Sequence, residues 1–418
     1  MIVIPNLRHL KAFQAVARLG SVGQASMSIR VSQPAVTQAI AKLESQIGAP
    51  IFDRRPTGSY PTEFGHILLR RVDRFFAMIE EGFATIYRDA PDAGRRASPV
   101  GMVTSTQIRS LVATADTATA MEAALSMGVS ETSLYRSARE LEQILNCRLF
   151  RPSIEGLVST PVGAELSRKV SLAVREIEYA LEEVEAAKGR AATQLAIGVL
   201  PMSASFALSA AVDALTRHHP QVKIKILEGT YLTMLKYLRT GEVDINFGLL
   251  RHPDWVNDIV EEPLFDDSFC LVVRKSHPLT RVKQLTREHL ASHEWVMPAP
   301  GTPRRRALDR FFSGATPIDF GVETSSPSII RALLTNSDRI SVLSRHEVEC
   351  ENRASPFAIL PLKLEEPSVK GITTRAHWLP TPLHVEFIEL LRRYTMSGTS
   401  GQNGQTECCD SERVQDGV

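Results

Sequence analysis

Cysteine is scarce in this chain, with five in 418 residues at Cys147, Cys270, Cys350, Cys408 and Cys409. Apart from the adjacent last pair they stand far apart, and none has the C-x-x-C spacing of a zinc or dithiol site. That excludes a disulfide scaffold and leaves no metal ligand set. Reduced thiols are expected, with Cys147 and Cys270 as small buried hydrophobes among apolar neighbours. No apolar run reaches the ~18 residues of a membrane span. Arg8 and Lys11 fall inside an already periodic N-terminal segment, where a signal peptide would have its apolar core. A cytoplasmic protein with no membrane partner is the expectation. The G-x-S-x-G, H-E-x-x-H and Walker A patterns are also missing, so no enzyme, catalytic residue or cofactor is expected.

Net charge is nearly absent, at 48 basic against 47 acidic residues, but its distribution is uneven. Residues 1–62 hold seven basic side chains, Arg8, Lys11, Arg18, Arg30, Lys42, Arg54 and Arg55, against only Glu44 and Asp53. Such a local excess suits a phosphate backbone. The 43% of hydrophobic residues in a chain of 418 can fill more than one core, and at roughly 150 residues per domain two or three domains are expected.

The first 165 residues repeat. A shift of 98 residues pairs Ala25 with Ala123, Val31-Ser32 with Val129-Ser130, Leu43-Glu44 with Leu141-Glu142, Phe52 with Phe150, Thr62 with Thr160 and Gly65 with Gly163. In the first copy an apolar-periodic helix around Leu10, Phe13 and Val16 is followed by Ser21, an N-cap, and a short helix through Ala25 and Ile29. After a turn, Ser32 caps a helix over 33–47, with Pro34 tolerated in its first turn and Val36, Ile40, Leu43 and Ile47 on one face. The other face carries Gln33, Thr37, Gln38 and Lys42. Arg54 to Thr62 then reads as a basic hairpin or wing. Amides near a helix N-terminus suit reading of adenine edges in a major groove, although an ordinary three-helix bundle with a solvated face fits the pattern equally.

The residues Leu7-Arg8-His9-Leu10-Lys11-Ala12-Phe13, Val31-Ser32-Gln33-Pro34-Ala35-Val36-Thr37-Gln38-Ala39-Ile40, Phe52-Asp53-Arg54 and Thr62-Glu63-Phe64-Gly65 closely resemble the DNA-binding domain of LysR-type regulators. The resemblance implies a winged helix-turn-helix over 5–62, with DNA contact by Ser32, Gln33, Pro34, Thr37, Gln38, Lys42, Arg54 and Arg55. The second copy, over 103–160, departs from it at Val129-Ser130-Glu131-Thr132-Ser133, where a carboxylate replaces Gln33. It holds five arginines against six acidic residues, so it should release fewer counterions from DNA. Two roles stay open for it: a second, weaker reader through Ser130, Thr132, Ser133, Tyr135, Arg136 and Arg139, or a structural, dimerising module.

An apolar heptad-like helix follows each wing, over 63–88 through Leu68, Val72, Phe76, Ile79 and Phe83, and over 161–190 through Leu166, Val170, Val174, Ile177 and Val184. Such a stripe packs either on the protein's own core or, as the resemblance implies, on the equivalent helix of a second subunit, giving a homodimer or homotetramer. Residues 89–102, rich in Ala, Asp, Pro and Gly, read as a flexible linker. The tail over 396–418 reads as disordered.

From 193 to 395 short apolar strands alternate with helices, which predicts an α/β sheet with ligands at the strand C-terminal ends. The run Arg239-Thr240-Gly241-Glu242-Val243-Asp244-Ile245-Asn246-Phe247-Gly248, with Glu262-Pro263-Leu264-Phe265 and His277-Pro278-Leu279, resembles the LysR effector domain, a two-lobed relative of periplasmic binding proteins. Later segments such as Trp295 to Pro303 and Val322 to Ser326 look like the branch regulating sugar-binding proteins and aromatic-acid catabolism. An aromatic-acid or sugar-like effector is therefore expected, held by Ser203, Thr230, Arg251, Thr302, Thr324 and Ser325 through hydroxyls, amides and one guanidinium. The bland alternatives are helix caps for the hydroxyls and a surface acid for Arg251. His218-His219 reads as a helix C-terminus and not a metal site. Together these readings predict an effector-controlled, DNA-binding transcription regulator, with double-stranded DNA and, for an activator, RNA polymerase as partners. The alternatives are a protein-binding co-regulator, or a binding protein or enzyme on the same α/β fold.

Overall fold

The computed structural model describes residues 4–87, 99–117, 119–154, 156–190, 194–201, 205–313, 320–350, 356–366 and 368–400. The chain forms two compact units, residues 1–194 with the short segments 221–223 and 239–242, and the remainder from 195 onward.

The first unit opens with α1 (Leu7–Leu19), α2 (Val22–Ile29) and α3 (Gln33–Ile47), then the antiparallel hairpin β1 (Phe52–Arg55) and β2 (Gly58–Pro61), and the long α4 (Glu63–Tyr87). Ser21 starts α2 by accepting a hydrogen bond from the Gln24 amide, as an N-cap does. The same order then recurs as α5 (Ser105–Asp116), α6 (Ala120–Met127), α7 (Glu131–Leu145), β3 (Phe150–Ser153), β4 (Gly156–Ser159) and α8 (Pro161–Ala187). α2 and α6 have 8 residues each, and α3 and α7 have 15 each.

Hydrogen bonds recur as well. Glu44 accepts from the Ile51 amide at 3.0 Å and Glu142 from the Leu149 amide at 2.8 Å, each across seven residues. Thr62 donates its hydroxyl to the Pro50 carbonyl, and Thr160 to that of Arg148. Gly65 and Gly163 sit where the following long helix passes under the chain. A Cβ there would lie 2.2 Å from the Ile51 carbonyl oxygen and 2.0 Å from that of Leu149, closer than any side chain tolerates, so only glycine permits this approach.

α4 and α8 pack antiparallel. Arg70 and Arg71 near the start of α4 meet Glu183 near the end of α8, and Gly82 near the end of α4 faces Leu166. One continuous core joins both sets of helices, from Leu7, Phe13 and Ile40 through Phe75, Phe76 and Phe83 to Leu141, Val174 and Val184. Fully burying each such side chain stabilises the fold by about 1.5–3 kcal/mol. Within this core Arg71 is fully buried, donating to Glu176 at 2.8 Å and to Glu183 at 2.6 Å. Burial pulls its pKa down, but the hydrogen bonds to Glu183 and Glu176 outweigh that and raise it. The flexible linker expected over 89–102 is corrected at its end, where Pro99–Gly101 form a 3-10 turn in which Pro99 and Val100 are buried; residues 88–98 lie outside the described ones.

The second unit begins with β5 (Gln194–Val199), α9 (Ser205–His218), β6 (Lys223–Glu228), α10 (Tyr231–Thr240), β7 (Ile245–Leu249) and β8 (Ile259–Asp266). Next come β9 (Phe269–Arg274), α11 (Arg287–Ala291), β10 (Val296–Met297), α12 (Pro303–Phe311), β11 (Val322–Glu323) and α13 (Pro327–Thr335). It ends with β12 (Ser341–Ser344), α14 (Arg345–Cys350), β13 (Phe357–Lys363), β14 (Val369–Arg375) and α15 (Pro382–Ser400).

A mixed five-stranded sheet has the order β6-β5-β7-β14-β8, with β5 parallel to β7 and β14 antiparallel to β7 and β8. A second sheet has the order β12-β9-β13, with the short parallel pair β10-β11 nearby through the Trp295–Ile340 bridge. The tail expected from 396 is corrected at its start, because α15 continues to Ser400; residues 401–418 lie outside the described ones. No helix among the described residues is long and apolar enough to cross a membrane.

Candidate nucleic-acid interface and ligand cleft

Because α3 turns its apolar positions Val36, Ile40, Leu43 and Ile47 into the core, Ser32, Gln33, Pro34, Thr37, Gln38 and Lys42 are all exposed on its outer side. Room for the Gln33 amide comes from α2, where a Cβ at Gly23 would come within 3.2 Å of its Nε2. Arg54 and Arg55 are exposed on β1. Arg55 donates to Asp53 at 2.8 Å and lies over the Tyr60 ring at 5.7 Å, an arrangement that orients it along the hairpin.

On α7 the corresponding positions differ in accessibility. Thr132, Ser133, Arg136 and Arg139 are exposed beside Glu131, and Ser130 spends its hydroxyl accepting from the Ser133 amide. Tyr135 is half-buried, and its hydroxyl would lie 3.0 Å from a Cβ at Gly156 of β4, so its ring supports the hairpin. The β3–β4 hairpin carries a fully exposed Ile154 at its tip and has Arg151 as its one basic residue.

Both sheets of the second unit contribute to a cavity of 130 Å³. Its walls come from Leu200 after β5, Thr230 and Tyr231 at the start of α10, Leu249 and Arg251 after β7, Phe269 on β9, Thr302 to Arg304 at the start of α12, Ser325 after β11 and Lys370 on β14. Of the six expected ligand residues, Thr230, Arg251, Thr302 and Ser325 line it. Thr324 is not part of the lining; its hydroxyl accepts from the Ser326 amide and its own amide donates to the Met297 carbonyl. Ser203 lies outside the described residues. Thr230 and Thr302 also cap α10 and α12, accepting from the Thr233 and Arg305 amides.

Two cations in this cleft escaped the sequence reading. Arg304 is buried and donates to the Val342 carbonyl at 3.3 Å, and burial depresses its pKa to about 10. Lys370 is buried in an ion pair with Asp267 at 2.9 Å. The run Arg304-Arg305-Arg306 at a helix start was the available signal for the first; nothing in the alternating strand around Lys370 marked the second. Arg251 stacks over Tyr231 at 4.6 Å and its Nε finds no hydrogen-bond partner. Burial and the nearby Arg306 lower its pKa. The Tyr231 hydroxyl is pushed up to about 12, chiefly by burial.

Elsewhere His218 and His219 both hold the Glu386 carboxylate, at 2.9 and 2.8 Å. No group of His, Cys, Asp and Glu side chains among the described residues is arranged to hold a metal ion. Cys270 is buried as expected, with its pKa pushed up to about 12, whereas Cys147 is only half-buried.

A helix-turn-helix with a basic wing and a separate α/β unit with a cleft lined by apolar and cationic side chains define a DNA-binding regulator under small-molecule control. Residues 7–66 match the family described as bacterial regulatory helix-turn-helix protein, lysR family, and residues 188–395 match the LysR substrate binding domain. The chain belongs to the LysR family of transcriptional regulators. It is similar to the HTH-type transcriptional regulator GalR of Pseudomonas putida, 29% identical over 396 residues, covering 93% of this chain and 97% of that protein. PcaQ of Agrobacterium fabrum is 25% identical over 264 residues, covering 62% of this chain and 85% of its own. Among solved structures, full-length OxyR of Pseudomonas aeruginosa shares the fold at 24% identity with a TM-score of 0.51, over 69% of this chain and 93% of that one.

Proposed function

We propose that α3 enters the major groove of operator DNA, with Gln33, Thr37 and Gln38 toward base edges, Ser32, Pro34 and Lys42 at the backbone, and Arg54 and Arg55 of the wing on adjacent phosphates. The observation that carries this reading is the exposed polar face of α3, backed by a buried apolar face that fixes its orientation. Residues 103–160 are read as a second winged helix-turn-helix. Support comes from the repeated hydrogen bonds of Glu44 and Glu142, and of Thr62 and Thr160. The GalR alignment, covering 93% of this chain, also has to include most of that segment.

The effector in this reading is a small carboxylate with an apolar or aromatic body. Arg251 and Arg304 supply positive charge with no carboxylate paired to either among the described residues, and Leu200, Tyr231, Leu249 and Phe269 supply apolar walls. Glu261 and Glu347 act on these guanidinium groups from nearby without forming an ion pair with them, and a carboxylate ligand would pair with them directly where a neutral sugar would not, which favours the acid. Ligand binding then selects a closed cleft and shifts how the bound DNA is bent. RNA polymerase, for an activator, and a homodimeric or homotetrameric assembly belong to the same reading, as does a cytoplasmic location.

The test is a footprint on DNA flanking the protein's own coding region, comparing the intact chain with Gln33→Ala and with Arg136→Ala/Arg139→Ala. Loss of protection with Gln33→Ala alone assigns reading to the first module. Partial losses from different ends assign it to both. Absence of any footprint across a genomic fragment library, with and without aromatic acids, would sink the reading.

A further inference from the structure

We propose that α4 and α8 form an internal, two-fold-like interface, so that a single chain presents two unequal DNA readers; this rests on reading residues 103–160 as a second winged helix-turn-helix.

The contacts have the reciprocity of an isologous interface. The Leu7 amide donates to the hydroxyl of Ser105, 98 residues on and therefore its own counterpart in the repeat. Arg71 lies over the Tyr179 ring at 5.2 Å. Exchanging each for its counterpart gives Lys169 and Glu81, which pair at 3.7 Å. A contact that maps onto itself when the two halves are exchanged is the signature of a two-fold, here built from one chain.

Charge then decides what α4 accepts as a partner. The positions on α4 equivalent to Glu176 and Glu183 are Met78 and Thr85. Two α4 helices paired in this geometry would set Arg71 against Met78, Thr85 and, in place of Tyr179, the exposed Glu81, exchanging two buried carboxylates for one at the surface. α4 is therefore better matched by an α8, which offers Arg71 two buried carboxylates, and the apolar stripe of Leu68, Val72, Phe76, Ile79 and Phe83 is already buried within the chain.

The two readers differ in chemistry. α3 presents amides, which suit adenine, while α7 presents Glu131 with Arg136 and Arg139, which suit cytosine and guanine. A reading unit of this kind calls for two dissimilar half-sites, in contrast to the palindrome of a symmetric dimer.

The experiment uses the full-length chain carrying Gly82→Cys and Lys169→Cys, with Cys147, Cys350, Cys408 and Cys409 changed to serine. A Cβ at Gly82 would lie 3.6 Å from the Lys169 Cβ, within the span of a disulfide. Oxidised glutathione is expected to link the two helices within one chain. The product should migrate as a monomer without reductant, yield a single cross-linked peptide from residues around 82 and 169, and keep its footprint. Covalent dimers as the main product would overturn the proposal, because the helices would then pair between chains. So would failure to form any disulfide, or loss of DNA binding on locking. A reduced chain that binds no DNA would instead defeat the proposed function, with the position of the cross-link still deciding the interface.

Discussion

Arg251 is held by stacking on Tyr231 while its Nε makes no hydrogen bond, and in the proposed reading it is free to donate to a carboxylate ligand. Hydrogen bonds to charged groups contribute about 1.5–3 kcal/mol. Arg251→Ala is therefore expected to weaken a carboxylate effector by roughly 10- to 100-fold while leaving the apo protein at least as stable. Thermal shift with and without the acid checks both halves of this expectation. Gly163→Ala tests the repeat at the same scale: a Cβ 2.0 Å from the Leu149 carbonyl oxygen forces the start of α8 away from β3. A loss of about 1–3 kcal/mol is expected, read from urea denaturation, and Gly65→Ala should behave alike. Gly65 and Gly163 were legible as a repeated pair in the sequence, though the carbonyl that each avoids was not. Arg304 and Lys370 were not legible, because a cleft is assembled from distant segments and a lone cation in a strand or helix start carries no mark of what it will face.

At the level of elements, the capped short helices and the polar face of α3 follow from local rules, and the heptad stripes of α4 and α8 announced long helices with a partner. Which partner was not decided locally, since an apolar stripe is satisfied by any other stripe. The buried Arg71 with Glu176 and Glu183 supplies the choice. Removing one partner of a buried ion pair costs about 3–5 kcal/mol because the others stay desolvated. Arg71→Ala is expected to destabilise the first unit by that amount in chemical denaturation. Arg71→Met combined with Glu176→Leu and Glu183→Leu should recover most of it, whereas a purely surface role for the pair would leave Arg71→Ala near wild type.

Across the molecule, burial depresses the pKa of His277 and His346, and burial with nearby Lys42 depresses that of His9, all from 6.5. As pH falls past 6.5 the unfolded chain takes up these protons before the folded one does, so stability rises with pH in that window. The contribution of these histidines is complete above 6.5 and is lost as pH falls through their folded values. Glu262, hydrogen-bonded to Arg392, adds the same sign below 4.5. A lower urea midpoint at pH 5.5 than at pH 7.5 is expected, with the difference reduced in His277→Asn and His346→Gln. Equal midpoints would contradict it.

The sequence by itself determined the α/β second half, the two rounds of helices with a hairpin, and the exposed polar face of α3, because those depend on periodicity, caps and turn residues within about fifteen positions of one another. Only the tertiary structure decided that α4 is covered by α8 of the same chain, that Tyr135 supports a hairpin, that Ser325 and not Thr324 lines the cleft, and that Arg251, Arg304 and Lys370 converge. These depend on which distant segments share a desolvated space, where the pairing of charge and shape outweighs any local preference.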